Sequence, residues 1–307
     1  MSTAVFLMAI GLPASGKDTF YDRELKSKNW IHISSDKIRE EVYGDANDQA
    51  HNDKVFEIMY KRTKEALNRN EKVYYNATNL SQKRRIHLLN SLNKAVKTQC
   101  LFHCIIFPVP YNECLLRNSI RDRVVPEYAM ERMYKSFQPP YWREGWDKIY
   151  SYGNHEHLNI WKTFDKALIM SHDNPHHTLT IGEHMRKAKV LYDMDNPIGD
   201  NLVSTAIYLH DIGKPFCKVF HNMKGESTDI AHYYNHENVG AYDVLAAFCK
   251  HREYVEIKED VIEISNLIAH HMDKFKGDFY MRKIQSLYGD KFYNRLLTIN
   301  HYDLLAH

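Results

Sequence analysis

The first 28 residues constrain the fold of this chain more than any other stretch. An apolar run, "TAVFLMAIG" at 3–11, leads directly into the loop "GLPASGK" at 11–17, and the polar stretch "DTFYDRELKSK" at 18–28 follows. A short apolar run that ends in a glycine-rich loop is typical of a buried parallel strand, and we expect the polar stretch to form a helix. Backbone N–H groups and the positive end of a helix dipole favour phosphate at such a loop. The stretch therefore predicts a nucleotide site in an α/β domain.

The loop departs from the usual phosphate-binding pattern at one position. The pattern G-x-x-x-x-G-K-[ST] places a magnesium-facing hydroxyl directly after the lysine. This chain has Asp18 there, and Thr19 comes one residue late. We still expect Lys17 to neutralise the β and γ phosphates of a nucleotide. The residues predicted to bind ATP at the loop are Gly11, Ser15, Gly16, Lys17, Asp18 and Thr19.

Strand and helix patterns alternate through the first half of the chain. Further strands are predicted at "WIHIS", "EKVYYNATNL" and "CLFHCIIFPV", and helices at "SDKIREEVYG", "NDKVFEIMYKRTKEALNRN" and "QKRRIHLLNSLNKAV". Alternation of this kind predicts a doubly wound parallel sheet with helices on its faces.

The pattern changes near the middle of the chain. Prolines, aromatic residues and glycines dominate 138–172, and beyond them strand signals fade while helical spacing continues to the end. A chain of 307 residues favours two domains. We therefore predict an α/β P-loop domain at 1–150, a linker or docking segment at 151–171, and an all-α domain at 172–307.

Charge and histidine content differ between the two halves. Residues 1–150 hold 24 Lys and Arg against 18 Asp and Glu, a net charge of +6, whereas residues 151–307 hold 17 against 21, a net charge of −4. Four histidines lie in the first part and 15 in the second. The first half suits phosphates and the second suits metal ions.

Hydropathy and cysteine usage predict a cytoplasmic protein. The mean hydropathy is −0.56, and no apolar run is long enough to cross a bilayer. Five cysteines are an odd number and lack C-x-x-C spacing, which favours reduced thiols over a disulfide framework or a cysteine–zinc site. We expect no membrane association.

Three further motifs in the first half suit phosphoryl transfer. "SSDKIR" contains Asp36 and Arg39, and "NATN" follows the third predicted strand. "RNSIR" places Arg117 and Arg121 four residues apart, a spacing that puts both guanidinium groups on one helix face. Two such groups are suited to a lid that closes on phosphates.

Together these motifs resemble the 5′-hydroxyl polynucleotide kinases of the phage end-repair type. The resemblance covers about residues 4–137 and includes the order and spacing of the loop, "SDKIR", "NATNL", "RNSIR", the "VP" after it, and "MYKS". It implies ATP and Mg²⁺ as cofactors and a polynucleotide 5′-hydroxyl as acceptor. By position it implies catalytic or binding roles for Lys17, Asp36, Arg39, Thr78, Asn79, Arg117 and Arg121.

The implied roles of these residues differ. Lys17 contacts the ATP phosphates, Asp36 is the general base for the 5′-hydroxyl, and Arg39 holds the terminal phosphodiester of the acceptor. Arg117 and Arg121 are lid arginines on the donor phosphates. The residues themselves leave alternatives open: Asp36 as a helix N-cap, the two lid arginines as a solvated helix face, and Thr78 with Asn79 as caps of a strand end.

Two positions depart from that family. Asp18 replaces a serine, and Asn76 stands where a carboxylate often precedes the T-N pair. We hypothesise that the metal-site carboxylate has moved to Asp18, and that Asn76 avoids repulsion by a second carboxylate. The alternatives are that Thr19 faces metal-bound water, or that the kinase is impaired.

Histidines and aspartates on the predicted helices of the second half form a ligand pattern. "LHDIGK" places His210 beside Asp211, and the candidate partners are His184, His236, His270, His271 and Asp303. Mixed imidazole and carboxylate ligands suit a hydrolytic divalent ion such as Mn²⁺, Fe²⁺, Co²⁺, Ni²⁺ or Mg²⁺ better than structural zinc.

This pattern resembles the HD phosphohydrolase superfamily over about 172–307. It is closest to the HD domain of some CCA-adding tRNA nucleotidyltransferases, through "LHDIGKP", "NHENVGA" and "LIAHHM". The resemblance implies one metal on His184, His210, Asp211 and Asp303, and a second on His236 with His270 or His271.

Two residues of the second half are candidates for contact with substrate phosphate. The resemblance implies such a contact for His177 in "NPHHTLTIGEHM", whereas His176 is left as structural. Lys214 either contacts substrate phosphate or is a surface lysine.

The two resemblances together imply an RNA end-healing enzyme. A kinase would phosphorylate 5′-hydroxyl ends, and a metal-dependent phosphoesterase would open 2′,3′-cyclic phosphate ends of RNA, or act on DNA ends. The chain has no K-x-D-G motif, so a separate RNA ligase would complete repair. The alternatives are a small-molecule or nucleoside kinase joined to a nucleotide phosphohydrolase, and an HD domain that acts as a nucleotide sensor.

Overall fold

A computed structural model describes residues 3–153, 158–175, 178–249 and 254–307. The chain forms two compact units. The N-terminal unit comprises the described parts of 1–133, 142–156 and 249–257, and the C-terminal unit comprises those of 134–141, 157–248 and 258–307.

A six-stranded sheet forms the centre of the N-terminal unit. Its strands are β1 (Ala4–Ile10), β2 (Ile31–Ser34), β3 (Lys72–Asn76), β4 (Cys100–Ile106), β5 (Lys148–Ser151) and β8 (Val255–Glu256). Their order is β2-β3-β1-β4-β5-β8, with β8 alone antiparallel to its neighbour. The central strand β1 is almost fully buried, as its apolar run predicts.

The four strands predicted in the first half are confirmed, as are three of its four predicted helices, whereas the helix expected at 18–28 is α-helical only as far as Phe20. Helices of this unit are α1 (Lys17–Phe20), α2 (Ser35–Tyr43), α3 (Asn52–Asn68), α4 (Gln82–Ala95), α5 (Tyr111–Ser119) and all but the last two residues of α6 (Glu127–Lys135). After α1 a π-helical turn and a 3-10 turn continue to Lys28. Strand β5 was not predicted, because four residues with two buried side chains give too short a pattern to separate from the surrounding irregular segment.

A buried ion pair ties helix α4 to the segment before β5. Glu144 accepts hydrogen bonds from Nε of Arg85 at 2.9 Å and from its Nη2 at 2.8 Å, and also from Nε1 of Trp146 at 3.0 Å. Nη1 of Arg85 donates to the carbonyl oxygens of Asn79 and Leu80. Both charged groups are almost completely excluded from solvent, so each depends on the other.

Replacing Glu144 by glutamine is expected to lower the free energy of unfolding by about 3–5 kcal/mol, because it leaves the Arg85 charge buried and uncompensated. Urea denaturation of the two proteins measures the difference. The matched control is Arg62→Gln, which breaks an exposed bidentate pair with Glu41 and is expected to change the midpoint little. Equal effects of the two substitutions would contradict the importance of burial.

The C-terminal unit is mainly helical. Its helices are α7 (Ile160–Ile169), α8 (Ile181–Asp195), α9 (Asn201–Leu209), α10 (Lys214–Cys217), α11 (His236–Phe248), α12 (Glu259–His270), α13 (Asp278–Tyr288) and α14 (Asp290–Leu305). A hairpin of β6 (Val219–His221) and β7 (Ser227–His232) interrupts them, a feature that the expectation of an all-α domain did not contain. No helix among the described residues is long and apolar enough to cross a bilayer.

The predicted domain boundaries and the compact units differ at two segments. Residues 134–141 belong to the C-terminal unit, whereas the described residues of 249–257 return to the N-terminal unit and supply β8. A reading of local sequence patterns assigns each stretch to its neighbours in the chain, and therefore does not detect such exchanges. The domain boundaries predicted at 150 and 172 remain a prediction.

Candidate active sites

The phosphate-binding loop joins β1 to α1, and its lysine folds back onto it. Gly16 lies in the left-handed region at φ 93°, which favours glycine. Nζ of Lys17 donates to the carbonyl oxygens of Gly11 and Leu12 at 3.1 and 2.6 Å and to Oγ of Ser15 at 3.3 Å. Burial lowers the pKa of Lys17 to about 8, partly offset by Asp18. The ammonium group is thus poorly solvated, and negatively charged phosphate would favour its charged form.

The loop opens into a cleft of about 1060 Å³ within the N-terminal unit. Residues from the ends of β2 and β3 and from the α5–α6 region complete its walls. Among the residues that line it are Lys17, Asp18, Thr19, Asp36, Arg39, Asn76, Thr78, Arg117 and Arg121. The cleft therefore contains most of the residues predicted for the kinase site.

Asp36 lies in the first turn of α2 but does not cap it. The N-cap is Ser34, whose Oγ accepts from the backbone N–H of Lys37, and the interpretation of Asp36 as the N-cap is wrong. The helix begins two residues earlier than an N-cap at Asp36 would place it, because two consecutive serines precede Asp36 and the first of them, Ser34, supplies the capping hydroxyl. The carboxylate of Asp36 is left to line the cleft.

Two arginines hold the Asp36 carboxylate. Nη1 of Arg39 lies 2.9 Å from Oδ1, and Nη1 of Arg123 lies 2.7 Å from Oδ2. Arg39 is buried and also donates to Asn52 at 2.6 Å, while Nε of Arg123 donates to Asn47 at 2.6 Å. Arg123 was not predicted, although it is the third arginine of "RNSIRDR" and its type alone was a signal.

The two predicted lid arginines both reach the cleft, but not from one helix face. Helix α5 ends at Ser119, so it contains Arg117 and leaves Arg121 in the turn beyond. The four-residue spacing therefore misled the prediction of a shared helix face. Arg117 pairs with Glu113, and its Nη1 lies 3.9 Å from where a Cβ on Gly16 would stand. The charge of Arg121 acts on Lys17 and contributes to lowering its pKa.

Thr78 and Asn79 occupy different environments. Thr78 lines the cleft, and its carbonyl oxygen accepts from the backbone N–H of Gly11 at 3.1 Å. The side chain of Asn79 instead donates to the carbonyl oxygen of Ala9 at 2.7 Å, at the end of β1. Asn79 has a left-handed φ of 50°, which asparagine tolerates better than most residues. The structure supports its strand-end interpretation over a direct substrate contact.

Asp18 and Asn76 are in contact across the site. Nδ2 of Asn76 donates to Oδ1 of Asp18 at 2.8 Å, and it also lies 3.0 Å from Nε2 of His32. His32 stacks on Tyr21 at 4.1 Å, and burial lowers the pKa of His32 to about 4, so the ring is neutral at pH 7. Thr19 is exposed and also lines the cleft. A second carboxylate at position 76 would directly face Asp18.

Asn76→Asp is expected to lower kinase turnover about tenfold and to raise the Mg²⁺ concentration required, because two carboxylates would then repel each other. Combining it with Asp18→Ser should restore both, since a single carboxylate then remains, at the end of β3 instead of in α1. Initial rates against Mg²⁺ for wild type, both single variants and the double variant test this compensation. A double variant no better than the worse single variant would rule out the compensation.

The second site is a buried cluster in the C-terminal unit. Its ligand atoms form two groups that could each hold a metal ion, one of His184, His210 and Asp303, and one of Asp211, His236 and His271. In the first group Oδ1 of Asp303 lies 2.9 Å from Nε2 of His184 and 3.4 Å from Nε2 of His210. Helices α8, α9 and α14 position these three residues, with His210 directly after the end of α9.

Asp211 faces both groups. Its Oδ1 lies 3.1 Å from Nε2 of His236 and 3.6 Å from Nε2 of His271, and its Oδ2 lies 3.3 Å from Nε2 of His210 and 3.8 Å from Nε2 of His184. A carboxylate with one oxygen toward each pair of histidines could serve as a ligand in both groups. The sequence-based assignment placed Asp211 with the first metal alone.

Hydrogen bonds fix the orientation of three imidazoles. In each, Nδ1 lies 2.7 or 2.8 Å from the carbonyl oxygen three residues earlier. A carbonyl oxygen only accepts, so Nδ1 is the protonated nitrogen and Nε2 points its lone pair into the cluster when the ring is neutral. This is the arrangement expected of metal-binding histidines. The three residues are His210, His236 and His271.

The spacing of the ligand atoms suits a cation. Nε2 of His236 lies 3.2 Å from Nε2 of His271, and two lone pairs at that distance repel unless a positive charge lies between them. Ligands about 2.1 Å from a tetrahedral ion would stand roughly 3.4 Å apart. Burial alone would lower the pKa of His210, but Asp211 and Asp303 raise it to about 10. The residues present therefore fit a divalent metal.

His270 is not part of the cluster, and its prediction as a ligand is corrected. Its Nδ1 lies 2.7 Å from Oδ2 of Asp273 and its Nε2 lies 2.8 Å from the hydroxyl of Tyr288. Adjacent residues on a helical turn point about 100° apart, so only one of His270 and His271 can face the metal ligands. That one is His271, which is fully buried.

A buried lysine stands beside the cluster. Nζ of Lys214 lies 2.6 Å from Oδ2 of Asp211 and 3.4 Å from Nε2 of His172, and it lies over the ring of Tyr233. The interpretation of Lys214 as a surface lysine is therefore wrong. Burial and the Lys214 charge lower the pKa of His172 to about 4. His172 and Tyr233 were not predicted, because neither belongs to the ligand pattern.

Close packing shapes the turn that carries Asp211. A Cβ on Gly213 would lie 2.1 Å from the carbonyl oxygen of His236, so only glycine fits between this turn and the start of α11. The glycine of "LHDIGK" thus brings Asp211 against His236. His177, predicted to contact phosphate, lies outside the described residues together with His176.

Two protein families match the chain. Residues 6–140 match the family described as AAA domain, and residues 176–306 match the HD domain family. An L-seryl-tRNA(Sec) kinase from Methanococcus maripaludis is 28% identical over 150 residues, which are 47% of this chain and 56% of that kinase. The chain thus spans about half the length of this curated relative.

Solved structures show weaker likeness. A chain from the structure of the Pnkp1/Rnl/Hen1 RNA repair complex is 20% identical with a TM-score of 0.38, covering 44% of each chain. A gluconokinase from Sinorhizobium meliloti 1021 is 12% identical with a TM-score of 0.34, covering 50% of this chain and 84% of that one. At these scores the likenesses do not extend to activity.

Proposed function

We propose that this chain heals RNA ends with two activities. It joins an AAA-type P-loop domain to an HD domain, and thus a kinase-like domain to a phosphohydrolase domain. The N-terminal unit phosphorylates 5′-hydroxyl ends of polynucleotides with ATP. The C-terminal unit hydrolyses 2′,3′-cyclic phosphate ends. The observation that carries the proposal is the Asp36 carboxylate, held by Arg39 and Arg123 in the cleft that contains the phosphate loop.

The kinase step assigns a task to each group in the cleft. Asp36 accepts the proton of the attacking 5′-hydroxyl. The hydroxyl oxygen forms a bond to the γ-phosphorus, and the bond between that phosphorus and the ADP oxygen breaks. Lys17, Arg117 and Arg121 bind the phosphates that carry the developing charge. Arg39 holds both Asp36 and, in this proposal, the first phosphodiester of the acceptor. Asp18 would hold Mg²⁺, which would offset the negative charge of the phosphates.

The hydrolytic step takes place at the buried histidine and aspartate cluster of the C-terminal unit, which we call the HD cluster. The two ligand groups of this cluster would hold one or two divalent ions, which supply Lewis acidity and activate water at neutral pH. Candidate ions are Mn²⁺, Ni²⁺, Co²⁺ and Fe²⁺. Water attacks the cyclic phosphorus, one P–O bond to the ribose breaks, and the ribose oxygen takes up a proton. Lys214, held by Asp211 and His172, is placed to bind a phosphate oxygen beside the cluster.

The proposal implies partners and a place in repair. The substrates are RNA or DNA ends with a 5′-hydroxyl, and RNA ends with a 2′,3′-cyclic phosphate. The products are a 5′-phosphate and an opened 3′ end, which a separate RNA ligase must join. The proposed location is the cytoplasm.

A single RNA that carries both a 5′-hydroxyl and a 2′,3′-cyclic phosphate tests the proposal. Incubation with ATP, Mg²⁺ and Mn²⁺ should add phosphate to one end and open the other, and mass spectrometry follows both ends of the same molecule. Labelled γ-phosphate transfer to this RNA is compared with transfer to free nucleosides. Preferential labelling of nucleosides would favour the metabolic kinase instead.

A kinase for an aminoacyl-tRNA hydroxyl is the second candidate, because the curated relative is an L-seryl-tRNA(Sec) kinase. Seryl-tRNA is therefore included as an acceptor in the same assay. Phosphate on the seryl hydroxyl, with none on the RNA 5′ end, would replace the end-healing proposal for the N-terminal unit. HD turnover that survives without added metal after chelation would contradict a metal-dependent phosphoesterase.

A further inference from the structure

A strip of exposed aromatic and basic side chains follows the HD cluster in the chain. It covers residues 274–280, "KFKGDFY", and all seven are exposed. Phe275, Phe279 and Tyr280 expose 57%, 69% and 45% of their surface. We call this segment, with the first turns of α13, the aromatic strip.

The rings of the strip have few partners of their own. Phe279 and Tyr280 lie 5.7 Å apart in an edge-to-face arrangement. Among the residues that the structure describes, Phe275 makes no ring contact. Single exposed hydrophobic residues are ordinary, but three aromatic rings within six residues form a patch of the kind that binds a ligand or partner.

The charge of the strip indicates the kind of partner. Lys274, Arg282 and Lys283 are exposed, and within the described parts of the chain none of them forms an ion pair. Lys276 is held by Asp273 at 2.7 Å, and Asp278 is the one acidic residue of the strip. Aromatic rings interleaved with unpaired cations suit a single-stranded polynucleotide, whose bases stack and whose phosphates are negative.

The aromatic strip begins close, along the chain, to the HD cluster. A 3-10 helix runs from His271 to Lys276, and Nε2 of His271 lies 3.6 Å from Asp211. Phe275 is four residues beyond His271, about 8 Å along a helix that rises about 2.0 Å per residue. Gly277, at φ 99°, then turns the chain into α13. A polynucleotide whose last phosphate lies at the cluster can therefore place its neighbouring bases on these rings.

We propose that the aromatic strip binds the single-stranded segment next to the 3′ end that the HD cluster hydrolyses. The proposal rests on the proposed function of that cluster. Stacking on Phe275 and Phe279 supplies affinity that does not depend on base identity, and the exposed Lys274, Arg282 and Lys283 contact phosphates. The site thus prefers a polynucleotide end to a free cyclic nucleotide.

The test uses the full chain with Phe275→Ala and Phe279→Ala combined. Fluorescence anisotropy measures binding of a labelled single-stranded oligoribonucleotide, and Mn²⁺-dependent hydrolysis is measured on an oligonucleotide and on a 2′,3′-cyclic mononucleotide. The double variant should bind the oligonucleotide about 30-fold more weakly or worse, since two rings are removed and stacking on each contributes at least about 1 kcal/mol. Turnover of the mononucleotide, which does not reach the rings, should change little.

The matched control is Phe220→Ala, which removes an exposed phenylalanine of β6 in the same unit. It should bind the oligonucleotide as wild type does. Unchanged oligonucleotide affinity in the double variant would overturn the proposal, and so would an equal loss of turnover on both substrates, which indicates damage to the cluster. Loss of binding to anionic lipid vesicles, with RNA binding intact, would assign the strip to a membrane instead.

Failure of the proposed function is a distinct outcome. If the wild-type protein binds single strands through the strip but opens no cyclic phosphate, the proposed binding surface stands and the proposed hydrolytic reaction is wrong. A Lys274→Ala, Lys283→Ala variant gives an independent readout, because removing two phosphate contacts should lower the salt dependence of binding by about 1.4 units of slope. An unchanged slope would exclude the cations from the site.

Discussion

Asp211→Asn is expected to abolish hydrolysis by the HD domain, with a loss of about 10³-fold or more, while the kinase activity stays within about twofold of wild type. The reason is the position of this carboxylate, whose Oδ1 lies toward His236 and His271 and whose Oδ2 lies toward His184 and His210. Burial raises the pKa of Asp211, but His210 and Lys214 hold it well below its usual range, so it is charged. An amide removes that charge from both ion sites at once.

Two measurements separate this effect from misfolding. Elemental analysis after dialysis should show metal lost from Asp211→Asn and retained in Asp229→Asn, which changes an exposed carboxylate of β7. His270→Gln should also retain metal, since His270 contacts Asp273 and Tyr288 instead of the cluster. Full metal content and full hydrolysis in Asp211→Asn would disprove the bridging role.

Asp36→Asn is expected to lower the kinase turnover number by about 10²–10⁴-fold, because in the proposed reaction Asp36 accepts the proton of the acceptor hydroxyl and an amide cannot. The change is close to isosteric, but Arg39 and Arg123 contact different oxygens of Asp36, so only one of them can still donate to the single amide oxygen. ATP affinity should change little, since Lys17 and the loop remain. The measurements are single-turnover phosphate transfer to a 5′-hydroxyl oligonucleotide and ATP binding by calorimetry.

Asp122→Asn is the matched control for that experiment. Asp122 also lines the cleft and is exposed, but none of the described ion pairs links it to Arg39 or Arg123. It should keep the transfer rate near that of wild type. A similar loss in both variants would show that the net charge of the cleft matters and that no single general base is required.

The HD ligands could largely be placed together from sequence, whereas their detailed roles could not. His184, His210, Asp211, His236, His271 and Asp303 converge as their order implies. Choosing between His270 and His271 required the phase of α12 at its last turn, which a sequence pattern fixes only to within a residue or two. The bridging geometry of Asp211 depends on Gly213 packing against α11, a contact between distant segments.

The kinase site shows the same limit in a different form. The sheet and its loop followed from apolar runs and glycines, because local patterns decide those elements. Three features could not be predicted from such patterns: the N-cap at Ser34, the end of α5 before Arg121, and the ion pair between Arg123 and Asp36. Each depends on where a helix starts or stops, or on a side chain meeting another from a remote loop.

Strand β8 has a consequence for how the chain can be cut and made. It pairs with β5 through Tyr150 and Ser151, and Tyr254 beside it stacks on Tyr150 at 4.2 Å and contacts the buried Phe20 at 5.6 Å. A fragment that stops at residue 172 therefore lacks this edge strand and leaves β5 exposed as a template for aggregation. During synthesis from the N-terminus the same edge stays open until residue 256 has left the ribosome, so the first sheet to start folding is completed only after most of the second unit has been made.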